Sequence, residues 1–188
     1  MPGIIKRRRK TLGKVYTMYE KDKAFGKLRQ YAKGLVRGAG TVMPHVAFVG
    51  EAPGQYEDER GEPFVGPSGK LLNDLLAHIG LDREDAFLTN CVWYRPSKNR
   101  DPSESELEAS LPYLYSQLFV VQPRIIVALG KFAHEATGGK GPITFNHGKV
   151  RKWEGVCIMS MYHPAYVLRN AKESPTMYED IEKVGGLL

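Results

Sequence analysis

The chain has 188 residues, 42% of them hydrophobic and 26% charged, with a formal net charge of +6. That length suits one domain with a real core, residues 1–188, and is too short for two. No apolar run is long enough to span a bilayer, and the opening MPGIIKRRRK lacks the apolar core of a secretory signal, so the expectation is a cytoplasmic protein with no membrane attachment.

Charge is unevenly placed. Residues 1–40 hold 12 Lys and Arg against 2 acids, and the remainder holds 15 against 19. Lys6–Lys10 is an unbroken basic run. A basic arm over about residues 1–14 has two readings: it contacts phosphates, with Arg8 among the contacts, or it is a solvated, partly disordered tail.

The elements follow in chain order. Tyr19–Val36 reads as a weakly amphipathic helix and Arg37–Thr41 as a Gly-rich break. Val46–Gly50 is an apolar strand that runs into a tight polar turn with Glu51, Pro53, Gly54, Glu57 and Asp58. Phe64 follows, flanked by Pro63 and Gly66. Ser68–Ile79 has apolar residues at helical spacing and ends at Gly80, a C-cap signal. Ala86–Val92 is a second strand. Ser103 with Glu106 forms a capping box that opens a helix to Val120. Arg124–Leu129 is a third strand with a short helix at Gly130, Val156–Met161 a fourth strand, and Ser174–Val184 a closing helix. Continuous apolar strands alternating with helices predict an α/β fold: a three-layer α/β/α arrangement around a central, mostly parallel four-stranded sheet.

Ligands of such sheets bind beyond the carboxyl ends of the strands. Three strand ends carry distinctive polar residues, Glu51, Asn90 and His163, and their convergence on one edge is the site hypothesis. Pro164 biases His163 toward an extended turn, which suits a side chain aimed into a cleft. The Asn90 amide offers a donor and an acceptor side by side, as the edge of a base does; its other reading is a structural strand-end Asn. Phe64 is either a core aromatic or a stacking platform for a base.

Other chemistries find less support. Gly69-Lys70 and Gly130-Lys131 resemble the end of a phosphate-binding loop, but the required earlier Gly is Phe64 or Ile125, and Leu71 or Phe132 stands where a hydroxyl is needed. The first strand is not followed by G-x-G-x-x-G. His45, His78, His134 and His147 lack metal spacing and read as surface or packing residues. Cys91 and Cys157, in apolar segments, read as buried free thiols, and two cysteines far apart cannot hold zinc or an iron–sulfur cluster unaided.

Five segments in order resemble the uracil-DNA glycosylase superfamily, family 4: GEAPGQYED at Gly50–Asp58, GEPFVGPSG at Gly61–Gly69, TNCVWYRPSKNRDP at Thr89–Pro102, IIVALG at Ile125–Gly130 and HPAYVLR at His163–Arg169. The resemblance implies removal of uracil from single- or double-stranded DNA to leave an abasic site, with no organic cofactor required; a monomer is expected, and the cysteine count predicts no cofactor and no metal in this chain. It implies that Glu51, with Ala52 and Gly54 around it, lines the pocket and orients water, and that Glu57 helps reject thymine. Phe64 would stack on the flipped uracil, Asn90 read its polar edge, and His163 donate to its O2. Asn99 would support the pocket or the DNA. Ser68, Lys131, Arg169 and Arg8 are the candidate DNA contacts.

The chain departs from that family at the cluster. Family 4 carries an iron–sulfur cluster on four cysteines; here residues before Val46 include no Cys, and Tyr94 and Ser110 stand at the other two positions. Packing by these residues and the N-terminal helix is expected to fill the space. A related branch bonds covalently to uracil-DNA through a His in a K-R-R-I-H loop, but only PSKNRD lies between Arg95 and Pro102, so that activity is not expected. The rival reading is a glycosylase-fold module that grips DNA, or docks on a replication or repair protein, with weak or no catalysis.

Overall fold

The computed structural model describes residues 1–188. Its centre is four parallel strands: β2 (Val46–Gly50), β3 (Phe87–Asn90), β4 (Ile125–Leu129) and β6 (Val156–Met161). Two further strands correct the four-stranded expectation to a six-stranded mixed sheet. β1 (Ala39–Gly40) and β5 (Val150–Trp153) lie antiparallel at the two edges, giving the order β1-β3-β2-β4-β6-β5. Both escape sequence reading for physical reasons. β1 is two residues inside a Gly-rich break. β5 is a half-exposed edge strand, VRKW, in which Val150 and Lys152 are exposed while Arg151 turns inward to Thr137. It reaches β6 through Glu154 and Gly155, both at positive φ (48° and 81°), the geometry of a type I′ hairpin turn.

Residues of the central strands alternate between two cores. Ala47, Val49, Ile126 and Ala128 point to one side; Val46, Phe48, Ile125 and Val127 point to the other. Every residue of β2 and β4 is buried, as continuous apolar strands require when helices cover both faces. The first core is covered by α1 (Pro2–Lys21), α5 (Glu104–Val121) and α6 (Gly130–Ala136). The second is covered by α4 (Pro67–His78), α7 (Pro164–Arg169) and α8 (Ser174–Gly185). The short helices α2 (Gly26–Arg29) and α3 (Gln55–Arg60) complete the set. No helix is long and apolar enough to cross a membrane.

The N-terminus departs most from expectation. The basic segment is part of a 20-residue helix, not an arm ending near residue 14. Leu12, Val15, Tyr16 and Tyr19 recur at helical spacing and seat α1 on α5. The helix expected over Tyr19–Val36 breaks at Asp22, which turns extended and accepts a hydrogen bond from the Ala24 amide at 2.9 Å. Cys91 is buried, whereas Cys157 is only partly so.

Candidate active site

The parallel strands end together at Gly50, Asn90, Leu129 and Met161, and a cleft of about 700 Å³ opens beyond them. Register sets its floor: Gly50 pairs with Asn90. A Cβ on Gly50 would lie 2.6 Å from the tip of Phe64 and collide with the Asn90 amide oxygen, so only glycine lets these two side chains close on the strand end. Glu51, Ala52, Gly54, Phe64, Asn90 and His163 all line the cleft, as expected of residues at one sheet edge.

Phe64 sits at φ 55°, a conformation that non-glycine residues adopt at a cost, and it is 5% exposed. Glu57 holds it there. One carboxylate oxygen accepts from the Val65 and Gly66 amides at 3.0 and 2.7 Å, and the other from Gly54 at 3.1 Å. Both oxygens are therefore engaged in tying two loops together. Glu57 lines the cleft, as expected of a residue near the pocket, and through these three bonds it braces the loop that carries Phe64.

Asn90 is 4% exposed, yet no protein group bonds its side-chain amide; only its backbone carbonyl is engaged, accepting from the Trp93 indole at 2.9 Å. A buried amide with its donors and acceptor open to a cleft awaits a polar partner.

His163 caps α7, and its Nδ1 accepts from the Ala165 amide at 3.1 Å. That bond leaves the proton on Nε2. Burial, with Arg169 nearby, lowers the His163 pKa from 6.5 to about 4, so the ring is neutral at physiological pH. Its plane lies 28° from that of Phe64, with 6.2 Å between centroids. Glu51 shifts the opposite way: burial, reinforced by Asp101 and opposed by Arg169, pushes it up to about 7.

Asn99, Ser68, Lys131 and Arg169 sit on the cleft lining. Asn99 accepts from Arg95 Nε at 2.7 Å, which braces that rim. Arg8 is a correction. Its guanidinium donates to the Val42 and Val121 carbonyls at 3.0 and 2.9 Å and to Gln122, so it holds α1 on the C-terminal end of α5, at the opposite sheet edge from the cleft. Tyr56, Asp101, Tyr162, Tyr166 and Leu168 also line the cleft and were not singled out. Tyr56 lies on α3, which reads as a turn, and the others adjoin recognised motifs without a periodicity of their own.

The residues around Tyr94 and Ser110 do not fit an iron–sulfur cluster. Tyr19 enters that space from α1 and stacks on Phe25 at 3.9 Å, with Trp93, Tyr94 and Tyr113 between 4.5 and 5.6 Å away. A hydrogen-bond relay threads it: the Trp93 amide donates to Tyr19 Oη at 3.0 Å, Tyr19 pairs with Ser110 Oγ at 3.1 Å, and Ser110 donates to the Cys91 carbonyl at 2.6 Å. Aromatic area and paired polar groups occupy the volume that metal ligands would need.

The fold and cleft define a class of α/β proteins with a polar-lined cleft at the carboxyl edge of a parallel sheet core. Residues 38–184 match the family model described as the uracil DNA glycosylase superfamily, and the chain belongs to that superfamily. It is 42% identical over 161 residues to a type-4 uracil-DNA glycosylase of Archaeoglobus fulgidus, covering 81% of each chain. A type-4 uracil-DNA glycosylase of Thermotoga maritima is 40% identical over 154 residues, 79% of this chain and 80% of the relative. A DNA polymerase of Bacillus phage SP01 is 30% identical over 166 residues, which is 88% of this chain but 18% of the polymerase.

Proposed function

We propose that this chain is a monofunctional uracil-DNA glycosylase that hydrolyses the N-glycosidic bond of uracil in DNA, leaving an abasic site, and that it acts as a monomer. The observation that carries the reading is the unpartnered Asn90 amide, 4% exposed, at the floor of a cleft also lined by Phe64 and His163.

The base leaves the stack and enters the cleft. Phe64, held in its strained conformation by Glu57, offers its face to the pyrimidine. Asn90 pairs with the donor and acceptor edge that uracil presents. As the bond from C1′ to N1 breaks, negative charge gathers on the base and positive charge on the sugar. Neutral His163 donates from Nε2 to uracil O2 and stabilises the first. Ionised Glu51 stabilises the second and orients the water that adds to C1′. Asn99, Ser68, Lys131 and Arg169 meet the DNA around the opening.

The test is strand scission after alkali treatment of a uracil-containing oligonucleotide incubated with the protein. Asn90→Ala and His163→Ala are expected to lower the rate at least a hundredfold, in line with loss of a preorganised donor, about 3 kcal/mol. No scission by the parent chain would overturn the reading. The relation to a phage DNA polymerase supports a second one, a domain that works beside a replication protein. Tight DNA binding by the parent chain without scission would favour it.

A further inference from the structure

The outer face of α1 has no role in the fold. Lys6, Arg7, Lys10, Lys14 and Lys21 are all exposed, and none makes an ion pair. At 3.6 residues per turn they lie opposite Leu12, Val15 and Tyr19, the residues that seat α1 on α5. From Lys6 to Lys21 the stripe is about 22 Å long at 1.5 Å per residue. Glu20 is the first acidic residue of the chain.

This arrangement works against the helix that carries it. Lys6 with Lys10, and Lys10 with Lys14, are like-charged pairs one turn apart, each destabilising by about 0.2–0.5 kcal/mol. The first turn holds no acid, and cations crowd the end where the helix dipole favours anions. A stripe that costs the fold stability and meets no protein anion calls for an anionic partner.

We propose that this face of α1 is a second DNA contact, separate from the base cleft, that grips phosphates of the DNA flank regardless of sequence or uracil. The inference rests on the glycosylase reading, which makes DNA the polyanion at hand. Placement supports it: Tyr19, near the end of α1, meets Trp93, three residues beyond Asn90, so the stripe starts beside the cleft end and runs down the flank. Membrane insertion would require a free apolar face, and that of α1 is buried against α5.

The variant K6Q/R7Q/K10Q/K14Q tests it, with anisotropy titrations of undamaged duplex over a salt series. Binding of a duplex of about 40 base pairs is expected to weaken at least tenfold near 0.1 M salt, and the slope of log K against log salt to shrink by about 3 to 4, at roughly 0.9 per lost phosphate contact. A duplex of roughly 10 base pairs, about 34 Å long, still covers the stripe and is expected to weaken as well. Excision of uracil from an equally short oligonucleotide stays at the parent rate. An unchanged slope on the long duplex overturns the proposal. So does an equal loss per charge in the exposed pair Lys149→Gln/Lys152→Gln, which would reduce the effect to net charge. Unaltered DNA binding with lost binding to phosphatidylglycerol vesicles overturns it in favour of a lipid surface. If the parent excises no uracil, the glycosylase reading fails, while the duplex titration still judges the stripe.

Discussion

The Ala165 amide decides what His163 can do. By donating to Nδ1 it leaves a proton on Nε2, and burial keeps the ring uncharged down to about pH 4, so the donor is present at any working pH. Glu51 is the group that titrates, because burial and Asp101 lift it to about 7. The expected kcat/KM therefore rises with pH through about 7 and levels above it, as ionised Glu51 becomes available. In Glu51→Gln the profile is low and flat; a step that survived near that pH would assign the ionisation to another group. The sign for stability is opposite. Below the ordinary carboxylate pKa Glu51 is protonated in folded and unfolded chains alike, while above about 7 the folded protein carries a poorly solvated charge. Thermal melts of Glu51→Gln are expected to show a gain on the order of 1 kcal/mol at pH 8.5, after allowing for solvent screening, and none at pH 4. Glu51, Asn90 and His163 were legible because each closes a strand or opens a turn in a short segment. The job of Glu57 was not, since the amides it binds come from two loops that meet only in the folded chain.

Helix α1 is where element-level reading and structure part. Its basic run reads as a phosphate-contacting arm or a solvated tail, but it is helical, and the apolar positions that follow seat the helix on α5. Tyr19 is the anchor, fully buried, and its hydroxyl joins the Trp93 amide to Ser110. Tyr19→Phe leaves both groups short of a buried partner and is expected to cost about 1–3 kcal/mol in urea unfolding; Tyr19→Ala, which also empties the aromatic cluster, about 3–5. A double-mutant cycle of Tyr19→Phe with Ser110→Ala should give a coupling of at least about 0.5 kcal/mol, and simple additivity would show that the relay is not a unit. Helices α4, α5 and α8 were legible from spacing and caps. The edge strands were not, because two residues of β1 and four half-exposed residues of β5 become strands only by pairing with β3 and β6.

At the scale of the molecule, two apolar cores share one sheet, and α1 contributes to the larger. The family match begins at residue 38, beyond α1. That boundary does not make α1 dispensable: removing residues 1–21 strips Leu12, Val15, Tyr16 and Tyr19 from a 22-residue cluster and bares Trp93 and Leu114. A chain lacking those residues is expected to lose its cooperative urea transition and its uracil excision together. A sharp transition of undiminished midpoint would show that the sheet and its remaining helices suffice.

By itself the sequence determined the parallel core, the helices α4, α5, α6 and α8 and the strand-end residues that meet at the cleft, because those depend on local periodicity and on which side chain follows a strand. Tertiary structure alone decided the two edge strands, the bracing work of Glu57, the removal of Arg8 from the DNA contacts and the aromatic filling around Tyr19. The places of β1, Glu57, Arg8 and Tyr19 depend on partners 8 to 114 positions away in the chain, and no local pattern of residues carries that information; β5 becomes a strand only by folding back on β6.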